Sequence, residues 1–226
     1  MHASIRRLET PVGCTAWLVH LDQDAALQWR DSLDETERTR AARFVFDRDR
    51  ARYEAAHGAT RYLLGLHLGR PSSELQFDIG ALGKPHLAGS TAVHFNLSHS
   101  HHLGLLAIGD RPIGVDLEVL RPLDGLSDLA AAHFTDAERA ALEREAPDDR
   151  LRSFLTGWTR KEACVKALGL GLAVDTRTVP TGLKAAPQAF VRFGGADAAT
   201  VSLQSLYVGP SAIASIALLE FSDRTP

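Results

Sequence analysis

The stretch Ile113-Gly114-Val115-Asp116-Leu117-Glu118-Val119 alternates apolar and acidic side chains. Successive strand residues point to opposite faces, so it reads as a strand with Ile113, Val115, Leu117 and Val119 on one side. Asp116 and Glu118 then share the other side. Half-buried strands often alternate in this way, so a solvated polar face is the ordinary reading. Two neighbouring carboxylates repel, however, and oxygen ligands at this spacing also suit a hard cation such as Mg²⁺. Downstream, Leu151, Phe154, Leu155, Trp158, Val165 and Leu168 recur at helical intervals. Glu162 follows Trp158 by four positions and Leu155 by seven, which sets it on or beside the core-facing stripe. A carboxylate there is costly unless paired or bound to a metal. Lys166, one helical turn further on, offers an ordinary i,i+4 ion pair or, beside a metal, a phosphate partner. A fold that brings this helix onto this strand pattern would gather three carboxylates and an ammonium.

Outward from these segments, strands and helices mix without strict alternation, the pattern of the α+β class. Cys14 to Leu21 reads as an opening strand, and Asp34 to Arg70 as mostly helical, ended by Pro71. Phe77 to Ile79 reads as a short strand, Gly83-Lys84-Pro85 as a turn, and Val93 to Leu97 as extended. Leu103 to Ile108 is an apolar strand, and the short turn Gly109-Asp110-Arg111-Pro112 predicts a hairpin with Ile113 to Val119. Thr135 and Glu138 form a capping-box signature for a helix that stops at Pro147. A longer helix runs from about Arg150 to Leu168 and stops at Gly169. Ala189 to Phe193, Thr200 to Tyr207 and Ala212 to Phe221 read as strands.

With 226 residues the chain suits one domain or two small ones, and its apolar 45% and charged 23% are globular values. A net charge of −3 supplies no global basic field, so nucleic acid is not an expected partner. No apolar run approaches the ~20 residues of a membrane span, and no signal-peptide core is present. Cys14 and Cys164 lie far apart without metal-type spacing, which suits a reducing cytoplasm. Of 25 basic residues only four are lysines: Lys84, Lys161, Lys166 and Lys184. Codon bias accounts for the arginines. A lysine that survives such a bias marks a position where a compact ammonium is needed.

His94, His99, His101 and His102 crowd nine residues, but no cysteine pair or H-E-x-x-H pattern supports zinc, and turn or surface histidines are the alternative. Ser98, His99 and Ser100 follow an extended segment and offer hydroxyl, imidazole and backbone donors to a phosphate. Lys84 sits in a rigid turn. Arg38, Arg40, Arg43, Arg48, Arg50 and Arg52 offer further anion contacts or a solvated helix face. The absence of a Walker loop, of G-x-G-x-x-G and of G-x-S-x-G weakens the nucleotide-triphosphate, dinucleotide and hydrolase-elbow readings.

Four blocks resemble the 4′-phosphopantetheinyl transferases of the surfactin-synthetase-activating (Sfp) type. They are Arg43-Phe44 with the Arg-rich helix after it, Gly83-Lys84-Pro85, Phe95 to Ser100 leading to Gly114 to Glu118, and Trp158 to Lys166 with Gly169 to Leu172. Gly-Val-Asp-x-Glu together with Trp-x-x-Lys-Glu-Ala-x-x-Lys is highly specific. The resemblance implies two similar α+β lobes, residues 1–110 and 111–226, related by a pseudo-twofold axis with the active site between them. It implies transfer of the phosphopantetheine arm of coenzyme A to a serine of an apo acyl, aryl or peptidyl carrier protein, with release of 3′,5′-ADP. Asp116, Glu118 and Glu162 then look like ligands for Mg²⁺, with Mn²⁺ as an alternative. Lys166 looks like the pyrophosphate partner, and Lys84, Ser98 and His99 like contacts to the 3′-phosphate of coenzyme A. Arg52 falls near the adenosine end, and Arg40 replaces a family lysine that faces the phosphates. Glu37 falls where a second family lysine would stand.

Glu162 is the candidate base for the carrier serine, directly or through a metal-bound water, and Lys166 stabilises charge. Leu120 to His133 is expected to help bind the carrier or to be a packed loop with a short helix. A chain that supplies both halves of its cleft is expected to be a monomer. Competing readings are another Mg²⁺-dependent phosphotransferase or nucleotide hydrolase, a zinc-sequestering module built on His94, His101 and His102, and a degenerate transferase acting as a scaffold.

Overall fold

One chain path, a strand followed by a long helix and a hairpin, is used twice. The computed structural model describes residues 4–90, 92–171, 174–185, 189–193 and 199–220. In the first half, β1 (Ile5–Leu8) and β2 (Cys14–His20) precede α1 (Gln23–Trp29), α2 (Glu35–Ala41) and α3 (Asp47–Leu68). A small antiparallel pair, β3 (Phe77–Ile79) and β4 (Pro85–Leu87), leads to β5 (His94–Ser100) and β6 (Leu103–Gly109). The second half holds β7 (Ile113–Val119), α4 (Leu126–His133), α5 (Asp136–Arg144), α6 (Pro147–Leu168), β8 (Ala189–Phe193), β9 (Ala199–Leu206) and β10 (Ala212–Glu220). The sheets run β1-β2-β6-β5 and β7-β10-β9-β8. In each, the strand before the long helix pairs with the second strand of the later hairpin: β2 with β6, and β7 with β10. The intervening helices α3 and α6 are each 22 residues long. The chain is therefore α+β with two similar lobes.

The expected hairpin between β6 and β7 does not form. Every residue of β6 is buried, and both its edges are taken, by β2 and β5. Residues 109–112 instead carry the chain from one sheet to the other. The helical stretch from Asp34 is two helices, broken between Ala41 and Asp47. Pro147 opens α6 at its first position, where its fixed φ and missing N–H cost nothing, and Gly169 closes it with φ of +67°. The capping box of Thr135 and Glu138 is present. Leu172 and Phe221 lie outside the described residues.

The two sheets share one core. Leu18, Leu105 and Ala107 of the first meet Ile113, Val115, Leu117, Ile216 and Leu218 of the second. The alternate residues Leu106 and Ile108 face the opposite way, into a core with Ala55, Ala59 and Leu63 of α3. On the far side of the second sheet, Ala163, Cys164 and Ala167 of α6 pack on Val201, Leu203 and Ala217. The layers are thus helix, sheet, sheet, helix. Among the described residues no helix is long and apolar enough to cross a membrane.

Candidate active site

β7 is held by β10 on one edge and by the shared core on its apolar face. Asp116 and Glu118 therefore project the other way, Asp116 buried and Glu118 half-buried. α6 lies directly on this strand at Gly114. A Cβ there would sit 2.1 Å from the Ala163 carbonyl oxygen and 2.3 Å from the Ala167 nitrogen, so only glycine permits the contact. That approach carries Glu162 and Lys166 to the carboxylate face, and the Lys166 ammonium donates to Asp116 Oδ1 at 2.6 Å.

β5 faces β7 with a row of polar side chains two residues apart. Asn96 Oδ1 accepts from the Val115 amide at 2.8 Å, Ser98 Oγ donates to Asp116 Oδ1 at 2.9 Å, and Ser100 Oγ donates to Glu118 Oε2 at 2.8 Å. The Val119 amide donates to Ser100 Oγ at 3.2 Å. The period of two in Asn-x-Ser-x-Ser signals one strand face. Asn96 and Ser100 were within reach of sequence reasoning as carboxylate-side partners, yet only the fold shows which strand they meet.

Burial pushes the Asp116 carboxyl above its ordinary value, and Lys166 and Ser98 only partly offset this. Burial also raises Glu118 and Glu162, each raised further by the Asp116 charge. These three groups sense one another as like charges do around a shared site. Asp116 Oδ2 is buried with no hydrogen-bond partner. An orphaned carboxylate oxygen beside an oxygen-only donor set fits a hard cation. Among the described residues no three His, Cys, Asp or Glu side chains form a ready metal cage. Mg²⁺ characteristically takes one or two carboxylates plus waters and substrate phosphates, so the pair on β7 meets that need. The His94, His101 and His102 zinc reading gains no support from this geometry.

Ser98 and His99, both expected at the 3′-phosphate, leave β5 on opposite faces. Ser98 is committed to Asp116, while His99 shares the opposite face of β5 with Phe95 and Leu97, which pack toward α3. Burial lowers the His99 imidazole, and the positive surroundings of His57, Lys166 and Arg52 lower it further. Arg40 lies over the Tyr53 ring at 5.6 Å and lines an open groove with Thr36, Thr39, Arg43 and Phe44. Arg52 approaches Asp49 at 3.7 Å. Glu37 accepts from the buried Arg61 guanidinium and lies 3.4 Å from His57 Nδ1. A lysine at 37 would face that guanidinium.

Lys84 directs its ammonium to the carbonyl oxygens of Ile113 at 2.8 Å and Lys166 at 2.7 Å, and burial pushes it down to about 8. Lys161 points away from the site. It is 2% exposed, pairs with Glu138 at 2.8 Å and donates to the Thr176 and Val179 carbonyls. Lys184 pairs with Glu145. Beside Glu118, a groove of about 170 Å³ is lined by Arg121, Leu123, Leu129, Phe154, Leu155 and Trp158. Tyr53 and His57 carried no functional signal in the sequence, whereas Arg121, Leu123 and Leu129 of this groove belong to the Leu120 to His133 stretch expected to help bind the carrier.

Three carboxylates and a lysine thus gather at the junction of two similar lobes, and each lobe matches a known family. Residues 22–109 match the family model described as 4′-phosphopantetheinyl transferase, N-terminal, and residues 112–217 match the 4′-phosphopantetheinyl transferase superfamily. The chain is 37% identical to the 4′-phosphopantetheinyl transferase HetI of Nostoc sp., over 76% of this chain and 78% of that protein. It is 41% identical to AcpT of Salmonella typhi, over 46% of this chain and 56% of the relative. It is 32% identical to a 4′-phosphopantetheinyl transferase of Bacillus subtilis, over 49% of this chain and 48% of the relative. With both halves matched and the first of these relatives aligned across both lobes, the chain belongs to the 4′-phosphopantetheinyl transferase superfamily.

Proposed function

We propose that this chain transfers the 4′-phosphopantetheine arm of coenzyme A to a serine of an apo acyl, aryl or peptidyl carrier protein, as a surfactin-synthetase-activating type of transferase. The observation that carries this reading is the Asp116, Glu118, Glu162 and Lys166 cluster, built where the two family-matched halves meet. The serine hydroxyl attacks the β-phosphorus of coenzyme A. The bond from that phosphorus to the bridging oxygen breaks, and 3′,5′-ADP leaves with the electron pair. Glu162, its carboxyl raised by burial and by Asp116, takes the serine proton directly or through a water. Lys166 holds positive charge beside the pyrophosphate. Asp116, Glu118 and Glu162 are the side chains that would hold Mg²⁺, with Mn²⁺ as an alternative, which when bound supplies Lewis-acid neutralisation of the phosphates. His99, Arg52 and Arg40 line the α3 side and suit the 3′-phosphate and adenosine end.

Residues 1–110 then form the coenzyme A half and 111–226 the metal-binding and catalytic half. The groove of Leu123, Leu129 and Trp158 opens beside Glu118 and supports carrier docking on Leu120 to His133. One chain supplies both halves of the cleft, which supports a monomer. The two free thiols, Cys14 and Cys164, support a cytoplasmic setting. The test incubates the protein with Mg²⁺, coenzyme A and fatty-acid, polyketide and peptide apo-carriers, and weighs each carrier by mass spectrometry. A gain of one phosphopantetheine is expected. No gain on any carrier, or nucleotide turnover without a carrier, overturns the reading.

A further inference from the structure

We propose that Lys84 is a positioning residue for the transfer reaction, which pins the last turn of α6 to the first residue of β7. The proposal rests on the transferase reading above. Lys84 belongs to the first half of the chain, in a turn whose backbone is fixed by Gly83 at φ +85° and by Pro85 at the start of β4. Its ammonium crosses to the second half and bonds two carbonyls at once. Ile113 opens β7, three residues before Asp116, and Lys166 lies in the last turn of α6, four residues after Glu162. All four residues of the carboxylate and lysine cluster therefore hang from the two elements that Lys84 joins.

Lys84 adds a pin at the point where α6 crosses β7. Gly114 brings the helix backbone onto the strand with no side chain between them. Elsewhere α6 is tied to the second sheet by the packing of Ala163, Cys164 and Ala167 and by the Thr159–Ser215 and Lys166–Asp116 contacts. A small slide along β7 would shift Glu162 and Lys166 relative to Asp116 and Glu118. Lys84 bonds the strand immediately before Gly114 and the helix immediately before Ala167, so it opposes that slide. Carbonyls of a helix's last turn favour a cation, and the Lys166 carbonyl takes the ammonium in addition to the Gly169 amide at 3.3 Å. Among the described residues no carboxylate pairs with Lys84, and it shares its cleft with Asn96, Glu162 and Lys166. A compact ammonium on a flexible stem reaches both carbonyls from the neighbouring lobe.

The test uses the full chain with Lys84→Met and Lys84→Arg, assayed with coenzyme A and with 3′-dephospho-coenzyme A. Lys84→Met is expected to lower kcat by about 10²-fold, the cost of an ångström-scale misplacement. KM for coenzyme A stays within about threefold, the mark of a lost transition-state arrangement rather than lost binding. Both substrates lose kcat equally, and Lys84→Arg recovers part of it. Hydrogen exchange, read without any turnover, is expected to quicken in residues 113–117 and 161–170 of Lys84→Met. A KM rise for coenzyme A alone, with dephospho-coenzyme A unaffected, would make Lys84 a 3′-phosphate contact and overturn the proposal. Unchanged exchange in both segments would overturn it as well. If the wild-type chain modifies no carrier, the transferase reading fails while the exchange measurement still decides the pin. If Lys84→Met does not fold, Lys84→Gln carries the same comparison.

Discussion

Ser98 Oγ donates to Asp116 Oδ1 at 2.9 Å, so a strand of the first sheet holds the most buried carboxylate of the second. The bond runs between β5 and β7, which face each other without a backbone ladder. Lys166 donates to the same oxygen, leaving Oδ2 free of partners. Both side-chain contacts thus fall on Oδ1 of Asp116 and leave Oδ2 for a ligand.

Ser98→Ala removes one of the contacts that counter the burial of Asp116, leaving Lys166 and the Leu117 amide. Loss of a hydrogen bond to a buried charged group costs about 1–2 kcal/mol of stability. Second-sphere partners of metal-binding carboxylates also tune affinity, so the Mg²⁺ concentration for half-maximal transfer should rise about tenfold. Urea unfolding and a Mg²⁺ titration of carrier modification read the two effects. Unchanged Mg²⁺ dependence would separate Ser98 from metal binding.

Gly114→Ala tests the contact between strand and helix. The new Cβ would fall 2.1 Å from the Ala163 oxygen, and backbone cannot give way as a flexible side chain can. α6 must lift from β7, at a cost of about 3 kcal/mol by the measure of overpacked cores. Transfer activity should fall with stability, since Glu162 and Lys166 move with the helix. A variant with wild-type denaturation midpoint would show that α6 does not rest on Gly114.

The features legible in the sequence are those that short spacing encodes. The alternation at Ile113 to Val119, the Thr135 and Glu138 capping box and the glycine stop of α6 are each settled within a few residues. The candidate cluster is legible as two such segments. What joins them is not. Lys84 meets the Lys166 carbonyl across 82 positions, and Arg61 meets Glu37 across 24. The β6–β7 turn looks like a hairpin because a turn of that length permits one, but one edge of β6 is taken by β5 across the His101-His102 turn and the other by β2 from far upstream.

Glu138 gives an acid signature. Burial would raise its carboxyl, but the Lys161 ammonium and the Thr135 and Thr181 amides outweigh this and hold it below its ordinary 4.5. The unfolded chain therefore takes up the proton first as pH falls. The stabilisation from Glu138 is complete above about 4.5 and is lost as pH drops from there through the lower folded value. Glu138→Gln should flatten this part of the acid profile. It also leaves Lys161 buried without its counter-charge, at about 3 kcal/mol near neutral pH. Urea unfolding of both proteins from neutral to acid pH tests this, and parallel profiles would contradict it.

Leu123→Asp places a charge in the groove shared with Leu129 and Trp158. Leu126 packs against the same cluster but does not line the groove, so Leu123 is the sharper probe. KM for the carrier should rise about tenfold, since one disrupted apolar anchor at an interface costs upward of 1 kcal/mol. KM for coenzyme A should not change, because its phosphates are assigned to the Lys166 and α3 side. Equal rises for both substrates would point to a disturbed fold rather than a docking surface.

Glu162→Gln separates chemistry from structure. The amide keeps the shape of the carboxylate but cannot accept the serine proton, and general-base catalysis of this kind contributes about 10²–10⁴-fold. kcat should fall by that range on every carrier. The fold should not suffer, and the reason lies in the direction of the shift. Burial and the charges of Asp116 and Glu118 all disfavour the Glu162 carboxylate, with Lys166 opposing them only in part. A neutral side chain relieves that repulsion, so the melting temperature should hold or rise. A variant that transfers at near wild-type rate would remove Glu162 from the role of base. A variant that loses activity and melts earlier would show instead that its charge is needed to hold Lys166 and α6 in place.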